Sequence, residues 1–251
     1  MSAALDFNRT VMREARASDP INEVIHASLV KKRADQPRRD YVGASAIGGA
    51  CERAIQFEFA GAPREKEPGG LTLTKFDLGH MNEELSRAHF QDAGFKLVTK
   101  NQRTGQTYRF SQLDGRFAGT PDGVFIGGPD VIAYPALWET KSVGAKTYRE
   151  IEKHGLKKAR PHYYAQVAVY QAYLDLTDNP AVFTVFNLDS GERLHLLIEF
   201  DAEEAQRMTD RAVRIVRATD AGELLPRPFP GPDYFECKWC AFATRCWGLP
   251  A

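Results

Sequence analysis

Asp122 stands in the run Gly119-Thr-Pro-Asp122-Gly123-Val124, and Glu139 and Lys141 stand in Leu137-Trp138-Glu139-Thr140-Lys141-Ser142. Residues two apart on a strand share a face, so Glu139 and Lys141 point the same way. Their neighbours Leu137, Trp138 and Val143 are apolar, which makes that polar face costly to bury. Two carboxylates brought together repel and raise a pKa unless a cation joins them. A hard cation such as Mg²⁺ answers that need because it takes oxygen ligands. Lys141 would then face the attacking water or a phosphate oxygen. Taken singly, Asp-Gly is also an ordinary turn and Glu-x-Lys an ordinary surface pair.

The second chemical feature is sulfur. Cys237-Lys-Trp-Cys240-Ala-Phe-Ala-Thr-Arg-Cys246 has the spacing C-x2-C-x5-C, and Cys51 is the one remaining cysteine of 4. In a reducing compartment these are not expected to form disulfides. One four-thiolate site would use them all, and such sites select iron–sulfur clusters or zinc. C-x2-C by itself suits zinc equally well. Trp239, Phe242 and Trp247 are placed to shield whatever is bound.

The elements that must position these groups follow from period and punctuation. Residues 8–33 read as a helix, its stronger half starting near Pro20. Ser45 is expected to cap a helix carrying Ile47, Cys51, Ile55 and Phe59 at four-residue steps. Residues 61–70 read as a loop and 71–93 as a helix. The period then shortens. Phe95–Lys100, Thr107–Phe110, Arg116–Ile126 and Ala136–Val143 read as consecutive strands. Helices over 144–154 and 161–176 follow, then strands Ala181–Leu188 and Leu194–Phe200. A charged amphipathic helix over 202–220 leads to an extended Pro-rich connector at 226–232. The expected fold is α/β, with one central, mixed, mostly antiparallel sheet flanked by helices.

The chain has 251 residues, 43% apolar and 26% charged, an ordinary globular balance. One domain is expected, with an N-terminal helical part over 1–70, a core over 71–200 and a C-terminal part over 201–251. Lys and Arg number 33, and so do Asp and Glu. That balance excludes a surface uniformly attractive to nucleic acid and leaves room for a local basic groove. No apolar stretch approaches the ~18 residues of a spanning helix, and no secretion signal is evident, so a cytosolic protein without a membrane partner is expected.

Asp122 followed by Glu139-Thr140-Lys141 resembles the signature of the PD-(D/E)XK nuclease superfamily. Gln166-Val-Ala-Val-Tyr170 is similar to the Gln-x-x-x-Tyr motif of its RecB-like branch. Gln166 and Tyr170 share a helix face at i and i+4. Leu78-Gly79-His80-Met-Asn-Glu83 resembles that branch's upstream helical motif, whose histidine is a metal ligand. One early cysteine and a C-terminal triad resemble the iron–sulfur members, namely AddB-type nuclease subunits and the CRISPR-associated RecB-like exonucleases. The context Cys51-Glu-Arg53 resembles theirs too.

The resemblance implies a restriction-endonuclease-like core and a metal-dependent DNA exonuclease acting on single strands or DNA ends. It implies Mg²⁺ or Mn²⁺ held by His80, Asp122, Glu139 and the Thr140 backbone carbonyl. Lys141 would stabilise charge on the phosphate, and Gln166 and Tyr170 would position the strand. A 4Fe-4S cluster on Cys51, Cys237, Cys240 and Cys246 would join the N-terminal helices to the C-terminal tail. The settings implied are recombination and repair, phage DNA processing or CRISPR adaptation, beside a helicase, a recombinase or an adaptation protein. A basic rim of Lys153, His154, Lys157, Lys158, Arg160 and His162, with Tyr163 and Tyr164, suits backbone tracking and base stacking. Lys31–Arg39 is a second basic patch. The alternatives are an idle nuclease fold used for DNA binding or assembly, and a zinc-stapled nuclease. No Walker A sequence is present, so no motor is expected in this chain.

Overall fold

The computed structural model describes residues 18–249. Its elements, in chain order, are α1 (Ser18–Ala34), β1 (Val42–Gly43), α2 (Ala44–Ile47), α3 (Glu52–Phe59), α4 (Gly70–Asp92), β2 (Leu97–Val98), β3 (Phe110–Gln112), β4 (Phe117–Gly119), β5 (Gly123–Phe125), β6 (Ala136–Val143), α5 (Ala145–His154), α6 (Leu156–Ala159), α7 (Pro161–Tyr173), β7 (Ala181–Asn187), β8 (Arg193–Ile198), α8 (Ala202–Asp220), α9 (Phe235–Lys238) and α10 (Ala243–Gly248). The chain divides into a smaller unit, residues up to Pro37 with Pro68–Thr74, and a larger one, Arg38–Glu67 with Lys75 onward. In the smaller unit α1 leaves Ile21, Val24 and Ile25 exposed. The part of the expected first helix over 8–17 lies outside the described residues.

The larger unit holds two sheets, where the sequence suggested one. The five-stranded sheet runs β2-β5-β6-β7-β8, and the three-stranded sheet runs β1-β4-β3. In the first, only β6 and β7 pair in parallel, so it is mixed and mostly antiparallel, as expected. A parallel pair needs a crossover, and α5, α6 and α7 supply it. The expected strand over Arg116–Ile126 is in fact two. Thr120-Pro121-Asp122 breaks it, sending β4 to the small sheet and β5 to the large one. Proline offers no N–H to a ladder, so the pairing must end there.

The expected Ser45-capped helix is also two pieces. Gly43 is the N-cap of α2, Gly48 ends it, and Cys51 caps α3 by accepting from the Ala54 N–H at 3.4 Å. Gly48 is where α2 meets α7: a Cβ there would lie 2.6 Å from the His162 Cα.

The pleat of β6 divides its side chains between two cores. Leu137 and Val143 join the large cluster that includes Val167, Phe183 and Ile215. Ala136 and Trp138 join a smaller aromatic one with Leu97 and Phe125, against which Phe90 of α4 packs. Glu139 has the parity of the first group and is therefore carried into the main core. α8 closes that core with Ala205, Met208, Ala212, Ile215 and Val216, a stripe at helical spacing. Asp201 starts this helix by accepting from the Glu204 N–H at 2.9 Å.

Candidate active site

The turn after β4 and the middle of β6 meet under α7. Gly119 allows it: a Cβ there would lie 2.7 Å from a Tyr170 ring carbon and 2.8 Å from Phe110. The Tyr170 hydroxyl donates to the Thr120 carbonyl at 2.8 Å. Two residues on, Asp122 Oδ2 accepts from the Thr140 backbone N–H at 2.8 Å. The turn is thus tied both to α7 and to β6.

Glu139 is 1% exposed. Its Oε1 accepts from Lys141 Nζ at 2.5 Å and from Gln166 Nε2 at 2.7 Å. Its Oε2 is buried with no hydrogen-bond partner, as is Gln166 Oε1. Lys141 Nζ also donates to the Thr140 carbonyl at 3.1 Å. The ammonium therefore sits on two of the oxygens that the family resemblance implies for a metal. Gln166 and Tyr170, one helical turn apart on α7, both face this cluster as the spacing required.

α4 brings a third carboxylate. Glu83 Oε1 accepts from Arg87 Nη2 at 2.6 Å, and the same nitrogen reaches the Asp122 carbonyl at 3.3 Å. His80 lies at the rim: its side chain is 80% exposed and its Nδ1 is 4.0 Å from Glu83 Oε2. Glu83 was legible only as the last residue of the upstream motif. Arg87, one turn further, carried no sequence signal.

The electrostatics follow from burial and crowding. Burial, and next the Asp122 carboxylate, raise Glu139 well above the usual carboxylate range. The same two causes, in the same order, raise Glu83. Burial works to lower the Lys141 ammonium, but the Glu139 and Asp122 carboxylates outweigh it and the net shift is upward. Burial, then Glu139, raise Tyr170, so its phenol stays a neutral donor. Glu83 and Glu139 each feel the Asp122 carboxylate, and carboxylates so crowded, one with a buried unpartnered oxygen, suit a hard cation. Among the described residues no three His, Cys, Asp or Glu side chains are gathered closely enough to hold an ion as they stand. The lysine holds the oxygens instead.

Much of the expected basic rim is committed within the chain. Lys157 pairs with Asp201 at 2.8 Å, and the Tyr164 hydroxyl donates to the same carboxylate at 2.9 Å. Arg160 donates to Thr147 Oγ1 at 2.8 Å and Glu150 Oε2 at 2.9 Å. Lys153, His154 and Lys158 are exposed. Tyr163 is half-buried, with Lys141 Nζ 5.6 Å from its ring centre and His162 against it at 4.1 Å.

The four cysteines line one cavity of about 390 Å³, together with Tyr41, Ile55, Phe57, Phe242 and Trp247. None is in a disulfide. Cys240 Sγ accepts from the Phe242 N–H at 3.4 Å. Burial raises the Cys51 and Cys240 thiols. The walls are held by backbone contacts: Glu65 accepts from the N–H groups of Thr244 and Arg245 at 2.8 and 2.6 Å. The Trp247 indole N–H is buried without a partner. Trp239 does not shield the cavity: it is 76% exposed and forms none of its wall. Cys237 and Cys240 line the cavity, and Trp239 is the C-cap of the short helix α9.

Together these features describe an α/β core presenting aspartate, glutamate and lysine at the junction of a strand and a helix. The chain belongs to the PD-(D/E)XK nuclease superfamily, whose family model matches residues 8–247. Among solved structures it resembles LHK-Exo, an alkaline exonuclease from Laribacter hongkongensis, at 18% identity and a TM-score of 0.50, over 80% of this chain and 93% of that one. It also resembles SSO0001, at 14% identity and a TM-score of 0.49, over 90% of this chain and 96% of that one. At these identities the likeness is one of fold. No curated protein matches the chain.

Proposed function

We propose that this chain is a divalent-metal-dependent deoxyribonuclease that removes nucleotides from DNA ends or single strands. The observation that carries this reading is the buried Glu139, its Oε2 unpartnered, beside Asp122 and Lys141. An idle fold used only for binding has no need of so costly an arrangement.

Asp122, Glu139, the Thr140 carbonyl, Glu83 and, at the rim, His80 would hold Mg²⁺ or Mn²⁺. Bound there, the metal would polarise the phosphate and lower the pKa of water. Lys141, released from Glu139, would stabilise the negative charge that builds on phosphorus. Gln166 fixes the rotation of the Glu139 carboxylate through its 2.7 Å bond. Tyr170 holds the Thr120–Asp122 turn through its 2.8 Å bond. Both are positioning residues in this reading. Arg87 ties Glu83 to the Asp122 backbone and sets the distance between α4 and β5.

For the cysteines we propose a 4Fe-4S cluster with a structural role. The four thiols line one cavity, and Cys51 lies within electrostatic reach of Cys240 and Cys246, as Cys240 does of Cys237 and Cys246. The unpartnered Trp247 N–H is a donor of the kind cluster sulfurs accept.

The deciding experiment is digestion of DNA labelled at either end, with Mn²⁺, by the wild type, Asp122→Ala and Lys141→Ala. We expect progressive shortening by the wild type and at least about a hundredfold loss in both variants. Equal degradation by all three would defeat the site assignment.

A further inference from the structure

Arg39 and Arg109 converge on one aromatic ring outside the carboxylate site. Their guanidinium carbons lie 5.9 and 5.1 Å from the centre of the Tyr41 ring. Both arginines are exposed and Tyr41 is half-buried. Elsewhere in the larger unit arginines that meet acidic groups are closely paired: Arg64 with Glu58 at 2.8 Å, Arg87 with Glu83 at 2.6 Å, Arg116 with Asp220 at 2.5 Å and Arg160 with Glu150 at 2.9 Å. Arg39 and Arg109 have no ion pair among the described residues, although Asp40 is adjacent in sequence. The two guanidinium carbons are thus at most about 11 Å apart with no counter-ion, and a cation–π contact at an exposed site returns little. Both are therefore free to take anionic partners, and guanidinium forks match phosphate geometry.

The place of this pair in the fold points to which anion. Arg109 precedes Phe110, which is paired with Gly119, and Tyr41 precedes Val42, which is paired with Phe117. β4 ends at Gly119, and the chain reaches Asp122 through Thr120 and Pro121. At ~3.3 Å per residue, Asp122 is at most about 10 Å beyond the register of Gly119 and about 17 Å beyond that of Phe117. A nucleic-acid strand leaving the carboxylate site along the small sheet reaches both arginines within a few phosphates, and the Tyr41 ring holds the two guanidinium groups in place.

We infer that Arg39, Tyr41 and Arg109 form a second substrate contact, gripping the sugar–phosphate backbone of a nucleic-acid strand several phosphates from the carboxylate site. The inference takes its place in the substrate path from the nuclease reading, but its binding test does not require cleavage.

The test is fluorescence anisotropy of a labelled oligodeoxythymidylate with the full chain in chelator, over a range of salt. Arg39→Ala with Arg109→Ala is expected to weaken binding about tenfold. It should also flatten the dependence of log affinity on log salt by about 1.4, which is ~0.7 for each single-strand phosphate that is no longer neutralised. The melting temperature should stay at the wild-type value, because neither side chain is paired or buried, and Lys at both positions should restore part of the slope. Unchanged affinity and slope in the double alanine variant would overturn the inference. Displacement of the oligonucleotide by micromolar inorganic phosphate at matched ionic strength would also overturn it, by making this a site for a free anion. A wild type that binds with the expected slope yet cuts nothing when Mn²⁺ is restored would defeat the nuclease reading and leave the grip standing.

Discussion

The carboxylate site and the cysteine cavity are held in opposite ways. In the first, the polar groups already grip one another: Lys141 and Gln166 on Glu139 at 2.5 and 2.7 Å, Asp122 on the Thr140 N–H at 2.8 Å, Tyr170 on Thr120 at 2.8 Å. In the second, Cys51 and Cys240 accept N–H···S bonds at a long 3.4 Å, and the four thiols line one cavity. The first is rigid before any ligand arrives because strand pairing and helix packing supply the constraint. The second depends on long-range docking of the tail onto the segment after α3, where Glu65 accepts from the Thr244 and Arg245 N–H groups.

If that contrast is right, removing a thiol should cost far more stability than removing a carboxylate. Cys240→Ser is expected to lower the melting temperature by about 5–15 °C, from several kcal/mol of lost crosslinking in a chain of this size. The purified wild type should carry iron and absorb visible light. An unchanged melting temperature would remove the structural role, and zinc without iron would replace the cluster with the alternative staple.

The next effect concerns the cation already in the carboxylate site. Lys141 Nζ occupies Glu139 Oε1 and the Thr140 carbonyl, so it competes with any metal for them. Lys141→Met should bind Mn²⁺ several-fold more tightly by calorimetric titration, by the lysine's share of a charge-assisted bond, while losing cleavage. Weaker binding would show that the lysine assists the metal site instead of filling it.

The smallest effect lies on α8, which packs against both regions. The Lys157 ammonium, and next the Glu204 N–H, lower Asp201 from 3.8 to about 2. A depressed carboxylate adds stability above its unfolded value and loses it as pH falls toward the folded one. Asp201→Asn keeps a cap but removes the charge. It should therefore melt about 1–3 °C lower near neutral pH. That gap should close between about pH 4 and pH 2. A gap that persists at acid pH would assign the difference to packing.

Legibility differed among elements for physical reasons. β6, α5 and α8 matched their expected bounds closely, because eight or more residues of consistent period overwhelm end effects. The strand over 116–126 and the helix over 45–59 each broke into two. In both, the residues at the break (Pro121 with Asp122, and Gly48 with Gly49) sat inside an apolar periodicity that looked continuous. β1 is two residues long and has no periodicity to read. Among site residues, Gln166 and Tyr170 met the carboxylates as i and i+4 spacing demands. Arg87 did not announce itself, since an arginine on a helix is ordinary until its partners across the fold are known. Lys157, Arg160 and Tyr164 looked free along the chain, yet Asp201, Glu150 and Thr147 had claimed them.

What the chain alone determined was the chemistry on offer: one strand carrying glutamate and lysine on the same face, an aspartate after a proline, and four thiols with nothing in sequence to pair them. Side-chain type and the period of two or 3.6 are local properties, written in neighbouring letters. What the tertiary structure decided was occupancy. It put the Lys141 ammonium on Glu139 Oε1 and the Thr140 carbonyl, left Glu139 Oε2 buried without a hydrogen-bond partner, set the four thiols along one cavity, and brought two arginines to one tyrosine. Those outcomes depend on which distant groups reach a given atom first, and that competition is settled only when the chain has closed on itself.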